Sequence, residues 1–516
     1  MLSHIVLLCG TLYASFLVLQ YLQQLYQQRK RAQCLGCQPA AQGPPGIFGF
    51  RSFIRLVKEM RQRRWIEYFT EQYEQFGNTY SHKNLGTKMI STREPENIKA
   101  LLATQFHDFG LGTRHREFYP LLGDGIFTLD GDGWSHARGL LRPQFTRDQV
   151  ADLDLMDVHI SHLIDLIPKD GSSFDIQRLF FLLTIDSATH FLFGESVGAL
   201  ESSNSAGLLE KPSVRSAQGF AEAFGISQDY LVSRSISRHF YWMINPTVFR
   251  EACRRVHEFV DHYVRLAIES KHNPDKRSDR YVFAEALAVD NDDPKVLRDN
   301  MLNILLAGRD TTASLLSSTF FFMARHPDVW QRLRQAIVDE FGDSQNPKGE
   351  ITQANLKDIP YLRYVLNEVL RLLPPVPLNF RVAVKDTSLP VGGGPDRKSP
   401  IFIPKGQVVL YSVYAMHRCT DLYGPDAHSF RPERWEEKGK RNWDYLPFNG
   451  GPRICLGQQY ALTEASYTLV KLIQRFNTLE CADPELKQPK ILSTLTLSHD
   501  RGVNIRLYST GTNCDG

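Results

Sequence analysis

Apolar positions recur with helical spacing through most of this chain. The pattern predicts short helices over Trp65–Phe76 and Glu96–Ala103. It predicts longer ones over Asp148–Leu166, Pro246–Ser270, Lys295–Ala324, Val329–Phe341, Tyr361–Leu373 and Gln458–Phe476. Strand-like runs are short and clustered: Phe380–Val384, Ile401–Ile403, Gln407–Tyr411 and Val503–Leu507. The Ser-rich stretch Glu201–Ser216 predicts a surface loop. There is no internal repeat. The expected body is mainly α with a minor β part.

The N-terminus breaks this pattern. Ile5–Leu22 is almost entirely apolar and uncharged, about the length needed to cross a bilayer. Arg29, Lys30 and Arg31 follow it and no charged residue precedes it, which places the C-terminal side in the cytosol. A cleaved signal peptide is the rival reading, but the run lacks a basic n-region and has its basic residues behind it. The chain therefore divides into a membrane anchor at 1–28, a basic and Pro/Gly linker at 29–46 ending in Gly43-Pro44-Pro45-Gly46, and a body at 47–516.

Composition narrows the class. With 516 residues, 42% apolar and 23% charged, the chain has an ordinary globular make-up. A net charge of +3 gives no reason to expect nucleic-acid binding. Eight scattered cysteines are too few for a disulfide framework and suit a reducing compartment. Cys34-Leu-Gly-Cys37 has redox spacing but sits in polar linker sequence with no strand before it, so it reads as an inert pair.

The chemistry concentrates in Phe448-Asn449-Gly450-Gly451-Pro452-Arg453-Ile454-Cys455-Leu456-Gly457. A Gly-Gly-Pro loop delivers Cys455 to the mouth of an amphipathic helix, where the helix's positive end and free backbone N–H groups favour thiolate. A thiolate is a strong donor to haem iron. Gly451 and Gly457 permit a tight turn and close approach of a flat macrocycle. Phe448 would shield the sulfur, and Arg453 would pair with a propionate. A lone cysteine would read as a buried structural thiol; the pattern F-x-x-G-x-R-x-C-x-G reverses that reading.

With these residues the chain resembles the cytochrome P-450 superfamily over nearly its whole length, and four further motifs occur in the family's order. Ala307-Gly308-Arg309-Asp310-Thr311-Thr312 lies in a long apolar helical pattern. The resemblance implies a helix opened over the haem, with Thr311 beside dioxygen and Asp310 relaying protons from solvent. Glu368 and Arg371 share a helix face, and Arg434 follows at the family's spacing, implying a buried structural triad. Trp134 and Arg138 also share a face, and with Arg381 they are implied to hold propionates. The fold implied is the cytochrome P-450 fold behind one transmembrane helix, carrying haem b with Cys455 as axial thiolate. Several stretches are closest to the fungal alkane- and fatty-acid-inducible terminal hydroxylases, among them Gly133–Phe145, Gly392–Asp396, Tyr423–Ala427 and Leu446–Leu462. Animal fatty-acid hydroxylases often place a haem-linked Glu where this chain has Ala307, so the haem is expected without an ester bond.

Candidate pocket walls are Ile126, Phe127, Ala307, Leu378, Phe380 and Leu495. They form an apolar slot suited to an alkyl chain at about 0.8 kcal/mol per buried CH₂, although apolar residues are more usually core. Arg114, His115 and Arg116 are candidates for a substrate carboxylate at the mouth, though exposed charges ordinarily face water. The chain carries no flavin or nicotinamide fingerprint. Electrons are therefore expected from a partner, NADPH–cytochrome P-450 reductase, with cytochrome b5 as a second donor.

The expected activity is O₂-dependent hydroxylation of a lipophilic substrate, a fatty acid or n-alkane at or near its terminus, at the endoplasmic reticulum membrane with the body facing the cytosol. The alternative is a tailoring oxidase of a polyketide or terpenoid in a secondary-metabolite pathway. Two other classes, a haem-thiolate isomerase or dehydratase and a non-catalytic haem sensor, leave the intact Asp310-Thr311 pair without a purpose.

Overall fold

Prolines and capping side chains set where the helices that frame the body begin. Asp293 accepts the Lys295 N–H and Pro294 opens the 30-residue helix Pro294–Met323, hereafter the pocket helix. Pro327 and Pro360 open Pro327–Phe341 and Pro360–Leu372 in the same way. The computed structural model describes residues 2–44, 49–145, 152–204, 217–273, 281–437 and 442–509. Within it, Trp65–Phe76, Thr247–His272 and Gln458–Arg475 also end within a turn of the sequence expectation. The helix expected over Asp148–Leu166 is seen as Leu153–Asp165, its first residues lying outside the described set. Glu96–Ala103 divides into an α-helix, Pro95–Lys99, and a π-helical turn, Ala100–Thr104. Most of the Glu201–Ser216 stretch also lies outside the described residues.

Helix Ile176–Phe193 escapes the periodicity rule. Nearly all of it is buried, including Thr184, Asp186, Ser187 and Thr189, so it has no polar face to betray a period. It packs along the pocket helix and supplies one wall of the core. A six-stranded sheet closes the other side in the order Ala41–Gln42, Thr79–Asn84, Thr87–Thr92, Val408–Ser412, Leu378–Ala383, Phe109–Gly110. The two inner strands near the site pair antiparallel, with Phe380 opposite Leu410 and Arg381 opposite Val409.

The first helix is longer than the apolar run and continues through the basic cluster, Leu2–Cys34. Leu7, Leu12, Phe16 and Leu19 stand exposed along it. Among the described residues no helix is long and apolar enough to cross a membrane. The side chains of Ile5 and Val6, at the apolar end of the run, lie outside those described. Part of 29–46, which the sequence reads as a linker, is in regular structure. Ala41 and Gln42 pair in parallel with Tyr80 and Ser81, and Ala40 bridges to Gly393. Cys34 and Cys37 are both free thiols.

A buried charge cluster ties the helical half to the loops that lead to Cys455. Arg371 makes a two-pronged contact with Glu368 at 2.9 and 2.8 Å, and Arg434 approaches the same carboxylate at 3.4 Å. All three side chains are buried. Glu368 also accepts the Trp435 indole N–H and the Arg431 backbone N–H, both at 3.0 Å. Arg371 spends its remaining donors on the carbonyls of His417, Ala427 and Ser429. Arg434 is held more closely by Asp426 than by Glu368, with two contacts of 3.0 Å. Asp426 is thus a fourth member that the sequence did not mark. The hydrogen bond from Arg434 lowers its carboxyl to about 2.

Glu368→Ala strands two buried guanidiniums. It should destabilise the body by about 3–5 kcal/mol, measured as a lower thermal midpoint with poor haem retention. Wild-type unfolding curves should also weaken as pH falls from about 4 toward 2, because Asp426 is depressed in the fold and its contribution exists only above that range.

Candidate functional site

The loop before Gln458–Arg475 is shaped by its own backbone. The Cys455 N–H donates to the Phe448 carbonyl at 3.0 Å, closing a turn around Gly451. Gly451 has φ 67°, and a Cβ there would overlap the Leu102 carbonyl oxygen, so only glycine fits. Asn449 also takes positive φ, 63°, and its amide donates to the Arg453 carbonyl. The start of the loop hangs from His417, whose Nε2 accepts the Leu446 N–H at 2.9 Å while Nδ1 faces the Arg371 carbonyl at 3.2 Å. Burial and the neighbouring Arg371 hold this imidazole neutral, which lets one ring donate and accept at once. His417 connects the charge cluster to the cysteine loop, and no sequence signal marks it.

Cys455 is surface-accessible only in the sense that it faces an internal cavity of about 270 Å³. One wall of that cavity is the pocket helix at Ala307, Gly308 and Thr311, and the other is the loop at Phe448, Cys455 and Gly457. Among the protein's own groups, burial raises the thiol, outweighing the Gly457 N–H and Arg138, which lower it. The Gly457 N–H at the helix mouth acts in the direction expected from the sequence, toward thiolate, and burial opposes it. The sulfur needs a cation in the cavity to hold its charge.

The cavity rim supplies four guanidiniums: Arg114, Arg138, Arg381 and Arg453. Among the described residues no Asp or Glu lines it. Arg453 bonds Asp130 at 2.7 Å and lies over the Trp134 ring at 4.5 Å, and Arg138 lies over the same ring at 5.8 Å. Arg381 is buried, donates to the Phe380 carbonyl at 2.8 Å, and leaves its Nε without a partner. Burial, reinforced by Arg381, pulls Arg453 down to about 10. A buried donor without an acceptor, among clustered cations at the rim of a two-walled apolar slot, fits a flat macrocycle bearing carboxylates.

A second cavity of about 360 Å³ adjoins the first, and both are lined by Arg114, Phe127, Ala307, Thr311, Val376 and Asn379. The sequence-derived pocket residues divide between them. Ile126 lines only the inner cavity; Leu378, Phe380 and Leu495 line only the outer one; Phe127 and Ala307 stand at the junction. Thr311 is at the junction too, its hydroxyl donating to the Ala307 carbonyl at 2.6 Å. Asp310 is not beside it. That side chain is buried, lines neither cavity, and lies 3.6 Å from Arg309 with Gln228 as a further partner. Burial raises its carboxyl. Glu464, unmarked in sequence, is buried beside Ser187 and Thr312, and burial pushes it up to about 7.

Comparison with known proteins agrees with this geometry. The family model described as Cytochrome P450 matches residues 43–503. Cytochrome P450 52A12 of Debaryomyces hansenii is 51% identical over 480 residues, 92% of each chain. Cytochrome P450 52A5 of Candida maltosa is 50% identical over 479 residues, 91% of each chain. Cytochrome P450 52A3-A of the same organism is 45% identical over 507 residues, 97% of this chain and 96% of its own. The chain belongs to the cytochrome P450 family: it is a haem-dependent monooxygenase whose iron takes an axial cysteine thiolate.

Proposed function

We propose that this enzyme hydroxylates a long aliphatic chain, a fatty acid or n-alkane, at or near its terminus. The observation that carries the reading is the junction of the two cavities, lined in common by the apolar Phe127, Ala307 and Val376 together with Thr311, Arg114 and Asn379. A terminal C–H bond is stronger than an internal one, so terminal selectivity has to come from presenting the chain end-on. The sequence resemblance to fungal terminal hydroxylases supports the same choice. NADPH–cytochrome P-450 reductase is the expected electron source, with cytochrome b5 as a second donor.

Haem supplies the activation of O₂. The chain's own residues do the rest. Cys455 is the proposed thiolate, being the one cysteine among the described residues that lines either cavity. Trp134, Arg138, Arg381 and Arg453 hold the propionates, while Phe448 and Gly457 line the slot. Thr311 holds a hydroxyl proton at the junction, on the Ala307 carbonyl, from which it can turn toward the cavity. Asp310 serves protons only through Arg309, Gln228 or water, because its side chain is away from the cavities. The first helix is the proposed anchor, setting the body on the cytosolic face of the endoplasmic reticulum.

Incubation with reductase, NADPH and either hexadecanoate or hexadecane, followed by gas chromatography, should give terminally oxidised products. Turnover of a cyclic metabolite and of neither chain would assign the enzyme to metabolite tailoring. Cys455→Ala should abolish the far red-shifted Soret band of the ferrous–CO complex, and a mutant that keeps the band would exclude this ligand. Thr311→Ala should retain haem while NADPH oxidation diverts to peroxide, checked as product formed per NADPH. Val376→Ala or Phe127→Ala should widen the junction and move hydroxylation toward in-chain positions, read from the same chromatograms. Removal of residues 1–28 should release haem-loaded protein from membranes on fractionation, in part or in full.

A further inference from the structure

The outer cavity carries charge of one sign. Lys83, Arg114 and Arg238 line it, and among the described residues no Asp or Glu does. Its walls are otherwise mostly apolar, with Phe69, Met89, Phe118 and Phe380 among them. A cation in such a chamber is costly unless something answers it. Arg114 has an answer at the inner end, donating to Asn379 at 2.6 Å. Among the described residues Arg238 has no hydrogen-bonded carboxylate; the buried Glu117, which also acts on Arg114 and Arg234, pulls on it from a distance. Its guanidinium lies over the Phe380 ring at 4.7 Å and meets the Met89 sulfur at 3.8 Å, a weak acceptor. No carboxylate forms an ion pair with it among the described residues.

The backbone at Arg238 is also unusual. It adopts φ 50°, one of five non-glycine residues with positive φ among those described, at the entry to the turn Arg238–Met243. That conformation is unfavourable for a residue with a side chain, and the surrounding fold has to impose it. The residue held in this conformation is one whose cationic side chain lines the cavity. His82, also in the lining, is kept neutral, lowered to about 4 by burial with Arg238 adding to the effect. Burial lowers Arg238 as well, but a guanidinium stays charged at neutral pH.

We infer that Arg238 is the anchor for the carboxylate of a long-chain acid, whose hydrocarbon tail runs through the outer cavity to the Ala307–Thr311 junction. This rests on the terminal-hydroxylation reading and deepens it, by selecting the fatty acid over the n-alkane as the better-bound substrate. Arg238 lines only the outer cavity, whereas Thr311 lines both. An acid fixed at Arg238 thus leaves its methyl end, and not its head, at the reactive side. The guanidinium offers the two-pronged donor set that a carboxylate accepts, in an interior where water competes little.

The test uses full-length, haem-loaded protein and the substrate-induced Soret shift as the readout of binding. Hexadecanoate, its methyl ester and hexadecane are titrated into wild type, Arg238→Gln and Arg238→Lys. Wild type should bind the acid about 10–100-fold more tightly than the ester. Arg238→Gln should lose that preference while its hexadecane affinity stays the same, and Arg238→Lys should recover part of it. Equal binding of acid and ester by wild type overturns the anchor. So does an Arg238→Gln variant that weakens acid and hexadecane alike, since that would make the residue a packing element. In either case, continued terminal hydroxylation of hexadecane would leave the parent reading standing; absence of terminal products from both chains would remove the parent reading and the anchor together.

Discussion

Glu368 lies with no solvent exposure between two guanidiniums, and the rest of the site depends on it being there. Taking three charges out of water is unfavourable unless each lone pair and each N–H finds a partner. Here they do, and the partners are instructive. Arg371 and Arg434 do not end at Glu368; they reach on to the carbonyls of His417, Tyr423, Asp426, Ala427 and Ser429. The cluster thus converts an unfavourable burial of charge into a fixed path for irregular backbone. From His417 the path continues to Leu446, and from there to the turn that presents Cys455. Chain that holds only short helical segments among the described residues, at Arg434–Glu437 and Gly451–Arg453, is in this way tied to the buried cluster.

The cavities show the opposite electrostatic arrangement. In the clamp each buried cation has a carboxylate; around the cavities the cations outnumber the anions. Arg381 has a buried Nε with no partner, and Arg238 has an aromatic face and a thioether. Such imbalance is unfavourable in the empty protein and favourable once anions arrive. The inner set matches the carboxylates of a macrocycle, and the outer set matches an acid head group.

How much of this could be read from the chain depended on whether a residue's partner was near in sequence. The cysteine loop, the pocket helix and the Glu368–Arg371 pair are local patterns, and each appears where the sequence placed it. Arg434 joined the triad only through the family resemblance, and Asp426 went unmarked because an isolated Asp in a turn has no signature. His417 was invisible for the same reason. Helix Ile176–Phe193 hid because it is buried all round. Asp310 shows what a local pattern leaves open. Adjacency to Thr311 suggested a shared task, yet consecutive residues on a helix point about 100° apart, and its carboxyl faces away from both cavities. Phe380, one of the expected pocket walls, lines the outer cavity with two guanidiniums over its ring, Arg114 at 4.5 Å and Arg238 at 4.7 Å.

The passage from the first helix into the body has a mechanical side. Helix Leu2–Cys34 gives way almost at once to chain that is hydrogen-bonded to the sheet. The Gln38 N–H meets the Pro400 carbonyl, the Gly394 N–H meets the Pro39 carbonyl, and Gly43 donates to Ser81. Arg31, still on the helix, pairs with Asp386 on the body. A tether this short, fastened at these points, restricts the swing of the body about the helix. Any surface that receives the helix therefore also sets the tilt of the whole catalytic body and the height of its outer cavity above that surface, so that substrate meets the entrance at a fixed angle of approach.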